Sequence, residues 1–122
     1  MSTALEIAVS EAAGDVPVAV MRVSGDLDSK SHSQLETKAG DLITAGKSRI
    51  VLDLSAITFM GSAGLRAMHG IANRLKTAGG GGQLKLVKPS DAAARVMKTL
   101  GFDQFFEIHA SVDEALASFR RR

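Results

Sequence analysis

No cysteine, tryptophan or tyrosine occurs in this chain, and proline appears only twice among its 122 residues. The lack of cysteine excludes disulfides and thiolate metal sites, and is compatible with the cytoplasm. With aromatics at 4%, few side chains could stack on the bases of a single-stranded nucleic acid. No apolar run approaches the roughly 20 residues a membrane helix needs. The opening "MSTALEIAVSEAAGD" has no early Lys or Arg and carries Glu6 and Glu11, so it does not read as a signal peptide. The formal net charge is only +2, and three of the basic residues are the terminal Arg120, Arg121 and Arg122. That tail reads as a frayed, solubilising end. With no basic stripe elsewhere, neither direct nucleic-acid binding nor membrane association is expected.

What is present is the mix of one globular domain, expected to span 1–122, with 45% hydrophobic and 23% charged residues. "ALEIAVS" alternates loosely and reads as an edge strand. "PVAVMRVSG" reads as a second strand, with Ala19, Met21 and Val23 on one face and Val18, Val20 and Arg22 on the other. "EAAGDVP" between them suits a hairpin connection, and Gly25 is expected to end the second strand. A first helix over 31–46 follows from Leu35, Ala39, Leu42 and Ile43 on one stripe, with Gly46 past its end. "RIVLDLS" is nearly continuous apolar, the mark of a central strand covered on both faces. A second helix over 62–76 carries Leu65, Met68, Ile71, Ala72 and Leu75 inward and ends in the glycine-rich turn 78–82. "QLKLVKP" is a fourth strand. Ser90 caps a third helix with Ala93, Val96, Met97 and Leu100 apolar, "FFEIH" is a last strand, and Ser111 with Glu114 has capping-box spacing before a fourth helix. The order ββαβαβαβα implies an α/β fold with a mixed, mostly parallel sheet and four helices.

Several chemical motifs fail on inspection. "GKS" at 46–48 resembles the end of a P-loop, but the first glycine of that motif would fall on Asp41, and a helix precedes it where a strand is required. "GSAG" is no nucleophile elbow, because Met60 stands at the first glycine position. His69 lies seven residues after Ser62, about 10 Å along a helix, too far to be its base. His32, His69 and His109 lack metal-ligand spacing and read as ordinary surface or partly buried histidines. No cofactor and no enzymatic activity are expected.

What remains is Ser62, a hydroxyl at the junction of a buried strand and a helix. The plainer role is a helix N-cap, which serine favours. The other role is a modification site. A phosphate there gains from the free N–H groups and the dipole, yet adds about −1.5 to −2 charges against any partner pressed on it.

"SGDLD" at 24–28, "IVLDLSAITFMGSAGLRAM" at 50–68, the glycine-rich turn and "LGFDQFFEIHASVDEAL" at 100–116 together resemble a stand-alone STAS domain, nearest in pattern to the bacterial anti-sigma factor antagonists. The resemblance implies a phosphorylation-gated partner switch. An anti-sigma factor that is also a serine kinase, of the histidine-kinase-like ATPase fold, binds the unphosphorylated form and releases sigma. A PP2C-type phosphatase restores the serine. Ser62 matches the phosphoacceptor, Gly64 and Leu65 the positions after it, and Ala63 a position that tolerates Ser, Thr or Ala. Asp28 matches an acidic residue near the partner surface, and Gly61, Ala63, Gly64 and Leu65 are expected to bind the partner with it. The family's acidic residue just before the serine is Gly61 here, so the carboxylate that would position the hydroxyl or engage the kinase is absent. A constitutive scaffold subunit in a stress-signalling or lipid-transport assembly, and a small-ligand-binding STAS domain, are the alternative roles. For a ligand the sequence offers only "LDLS" and the glycine-rich turn.

Overall fold

The structure, a computed structural model, describes residues 4–12, 18–77 and 83–120. The proposed hairpin turn, the glycine-rich turn and the tail beyond Arg120 therefore lie outside the described residues. Five strands form one sheet in the order β1-β2-β3-β4-β5: β1 (Glu6–Ala12), β2 (Val18–Leu27), β3 (Arg49–Met60), β4 (Gln83–Val87) and β5 (Glu107–His109). β1 pairs antiparallel with β2 and the rest run parallel. Helices α1 (His32–Thr44), α2 (Ser62–Thr77) and α3 (Asp91–Thr99) send Leu35, Ala39, Leu65, Met68, Ile71, Leu75, Ala93 and Met97 into one core with Met21, Leu52 and Leu86. α4 (Val112–Arg120) covers the opposite face, where Ala115 and Phe119 pack on Val18, Val51 and Val87. β3 is thus covered on both sides, and Val51 and Leu52 are wholly buried.

The expected element order and face assignments hold, and the differences lie at the ends. Gly25 does not end β2. It sits at φ +96° beside a register shift, and the strand continues through Leu27. A glycine tolerates that backbone within a strand, so the chain bends without stopping. α1 stops at Thr44. Gly46 and Lys47 close it with N–H bonds to the carbonyls of Ile43 and Leu42, the paired closure that a left-handed glycine permits. Leu100, expected inward, lies past the end of α3 and is half exposed. Phe105 and Phe106 precede β5, and a 3₁₀ turn over Phe102–Gln104 comes before them. The Ser111 hydroxyl accepts the N–H of Glu114, one half of a capping box. α4 includes Arg120, the first residue of the expected frayed tail.

β3 also departs from strict alternation. Between Arg22 and Ser24, and again between Gly25 and Asp26, β3 advances one residue more than β2. Each bulge reverses the parity of the side chains that follow. Ile57 and Met60, an odd step apart, are therefore both in the core, while Thr58 and Phe59 between them are exposed.

Candidate functional site

β2 and β3 end side by side, with Leu27 opposite Met60, and the N–H of Gly61 donates to the carbonyl of Leu27 (2.9 Å). This bond sets the turn after β2 against the start of α2. A Cβ built on Gly61 would lie 3.8 Å from the Asp28 Cα and 3.5 Å from the Phe59 ring. Asp28, Phe59, Gly61 and Ser62 thus share one end of the molecule although they come from two segments of sequence.

Ser62 is exposed, and its hydroxyl makes no hydrogen bond among the described residues. The helix-capping role expected of it is taken by its neighbour. The Gly61 carbonyl accepts the N–H of Gly64 (3.0 Å) and of Leu65 (3.4 Å), so Gly61 stands at the cap and Ser62 is the first helical residue. The side chain of a first helical residue points away from the orphan N–H groups that a capping oxygen would satisfy.

Asp28 does not cap α1 directly either. Its Oδ1 accepts the N–H groups of Lys30 (2.9 Å) and Ser31 (3.1 Å), which builds the turn ahead of the helix, and Ser31 takes the flanking position. The Ser31 hydroxyl accepts the Asp28 N–H (3.0 Å) and donates to the Asp26 carbonyl (2.7 Å). The Lys30 N–H, opposed in part by burial and assisted by Ser31, holds the Asp28 carboxyl below its ordinary range. Asp28 is therefore an ionised group fixed by its own backbone, and its Oδ2 makes no bond among the described residues.

Of the residues singled out in the sequence, Asp28, Gly61, Ser62 and Ala63 reach the surface, and Gly64 and Leu65 do not. Leu65 is wholly buried, and a Cβ on Gly64 would stand 2.7 Å from the Leu27 Cγ. These two anchor the start of the helix on β2 and hold Ser62 outward. Phe59, 52% exposed, belongs to the same surface and was hidden in the sequence by the apolar run around it. Beside it the Thr58 hydroxyl donates to Asp26 (2.7 Å).

Of the two features that suggested a small ligand, the glycine-rich turn lies outside the described residues and "LDLS" is otherwise occupied. Asp53 of "LDLS" is buried and bonded by the Ser55 N–H (3.0 Å) and hydroxyl (2.7 Å), with Arg22 at 3.3 Å and Lys88 at 3.6 Å. His69 rests edge-on against Phe105, His32 pairs with Glu36, and His109 with Glu107. Among the described residues no group of three His, Asp or Glu side chains could hold a metal, and no helix is long and apolar enough to cross a membrane.

Residues 9–115 match the STAS domain family. The chain is 26% identical over 103 residues to the anti-sigma-F factor antagonist RsfB of Mycobacterium tuberculosis, covering 84% of this chain and 82% of that one. It is 31% identical over 98 residues to BtrV of Bordetella bronchiseptica, a protein assigned to the anti-sigma factor antagonists, over 80% of this chain and 83% of the relative. The crystal structure of an anti-sigma factor antagonist from Mycobacterium paratuberculosis superposes with a TM-score of 0.79 at 28% identity, over 95% of this chain and 96% of the other.

Proposed function

This chain belongs to the STAS domain family, and on that footing we propose that it is an anti-sigma factor antagonist whose partner contact is gated by phosphorylation of Ser62. It is a regulatory protein, not an enzyme. The observation that carries the reading is the Ser62 hydroxyl, exposed and unbonded among the described residues, on a surface shared with ionised Asp28 and exposed Phe59. In the unphosphorylated state this surface binds a cytoplasmic anti-sigma factor that is also a serine kinase of the histidine-kinase-like ATPase fold. Phe59 supplies apolar area, and Asp28 supplies a fixed acceptor. In the reaction the Ser62 oxygen attacks the γ-phosphorus of the kinase's ATP, ADP leaves, and the hydroxyl proton passes to a base of the kinase. This chain contributes only the nucleophilic oxygen. The product carries about −1.5 to −2 added charge in the contact surface, next to Asp28, which opposes rebinding. A PP2C-type phosphatase restores the hydroxyl.

Gly61 leaves the acceptor without an adjoining carboxylate, and a Cβ at this position meets its neighbours only at ordinary van der Waals distance. Gly61→Asp should leave phosphorylation unchanged or raise it. The deciding experiment incubates the chain with the candidate ATPase, ATP and Mg²⁺ and reads the intact mass. A gain of one phosphate that disappears in Ser62→Ala is expected, with Ser62→Asp folding normally but binding the ATPase poorly. No gain in mass, together with parent-like binding by Ser62→Asp, would leave a constitutive scaffold in place of the switch.

A further inference from the structure

We propose that Arg66 is the internal counter-ion of the phosphate on Ser62, so that modification withdraws a free cation from the contact surface as well as adding an anion. The proposal rests on the reading of Ser62 above. Arg66 is exposed on α2, four residues after Ser62, and makes no ion pair or hydrogen bond among the described residues. Several other cations are engaged. Arg22 and Lys88 face Asp53, Lys47 pairs with Glu11, Lys85 pairs with Glu107, and Lys76 lies over the Phe105 ring. The first turn of α2 has no acidic residue, so in the unmodified chain the helix itself offers Arg66 no anion near its start.

A phosphate on Ser62 changes that. Residues four apart on a helix stand about 5–6 Å apart at Cβ, within easy reach of an arginine, and the order anion first, cation four residues on, is the favourable one. The guanidinium fork matches two phosphate oxygens at once. Asp28 and Asp26 also lie on this surface, with Lys30 beside Asp28. The two carboxylates repel the phosphate, and Asp28 is already committed to the N–H groups of Lys30 and Ser31. Arg66 is placed to offset that repulsion. The surface then changes from a neutral hydroxyl beside an unpaired cation to a closed pair with a net charge of about −0.5 to −1.

The test uses full-length chain with phosphoserine installed at position 62 during synthesis, titrated by ³¹P NMR at low salt. The second ionisation of the phosphate, near pH 6 in the absence of neighbours, should rise by about 0.3 in Arg66→Gln, the size expected of one such pair. Arg66→Lys should restore most of the difference, and roughly 1 M salt should close it. Superimposable titrations of parent and Arg66→Gln at low salt would overturn the assignment. Because synthesis supplies the phosphate, a Ser62 that no kinase modifies would defeat the functional reading without altering these curves, and identical curves would defeat the Arg66 pairing without touching that reading.

Discussion

Ser62 and Gly64 stand two residues apart at the start of α2 under opposite constraints. The Ser62 hydroxyl caps nothing, since the Gly61 carbonyl receives the first helical N–H groups. Ser62→Ala should therefore change stability by less than about 0.5 kcal/mol, the range of ordinary surface changes, where a capping serine would lose about 1 kcal/mol. Urea unfolding distinguishes the two. Gly64 has no such latitude, because any Cβ would run into Leu27 at 2.7 Å and 3.0 Å. Gly64→Ala should destabilise by about 1–3 kcal/mol through overpacking, and Gly61→Ala, with its nearest neighbour at 3.5 Å, by much less. Comparable urea midpoints for the two alanine variants would show that Leu27 yields. Of this local picture, the sequence disclosed a small residue at 64 but not which wall it faces, since Leu27 comes from another strand.

At the scale of elements, β3 and α2 carry both the core and the site. Leu52 is wholly buried between β2 and β4 and beneath the helices of one face. Leu52→Ala should lower the unfolding free energy by about 2–5 kcal/mol, measured by urea or thermal melts. Phe59 lies on the same strand, yet Phe59→Ala should barely change stability, because half of the ring is already in water. Its loss should appear in titration against the proposed ATPase partner as weaker binding. Phe59 stands an odd step from Leu52, and because the two parity reversals between them cancel, it faces away from the core that Leu52 and Met60 share. In sequence, "AITFM" reads as continuous apolar strand, and nothing in it marks where the partner strand falls out of step.

At the scale of the whole molecule, three carboxylates among the described residues are held below their ordinary values of 3.8 or 4.5. In Asp28 the Lys30 N–H is the main cause. In Asp53 burial pushes the other way and is outweighed by the Ser55 N–H and hydroxyl, Lys88 and Arg22. In Glu107 burial is outweighed by Lys85 and His109. A lowered carboxylate binds fewer protons folded than unfolded, so stability is fully present above the unfolded value and is lost as pH falls through the folded one. The urea midpoint should hold between about pH 7 and pH 5 and drop below about pH 4. Asp53→Asn should flatten part of that drop. A midpoint independent of pH across the acid range would mean that these contacts do not favour the ionised forms.

The sequence by itself determined the element order, the mostly parallel sheet with an antiparallel leading pair, and the inward stripes of α1, α2 and α3. Those features rest on periodicity and on end signals a few residues long, which act within one segment. The tertiary structure alone decided that β2 runs on past Gly25, that Gly61 and not Ser62 caps α2, that Phe59 is on the surface, and that Asp28 meets the start of α2. Each depends on how β3 registers against β2, more than twenty residues away in the chain, and a register between strands is set by the packing of both faces together rather than by either strand's own pattern.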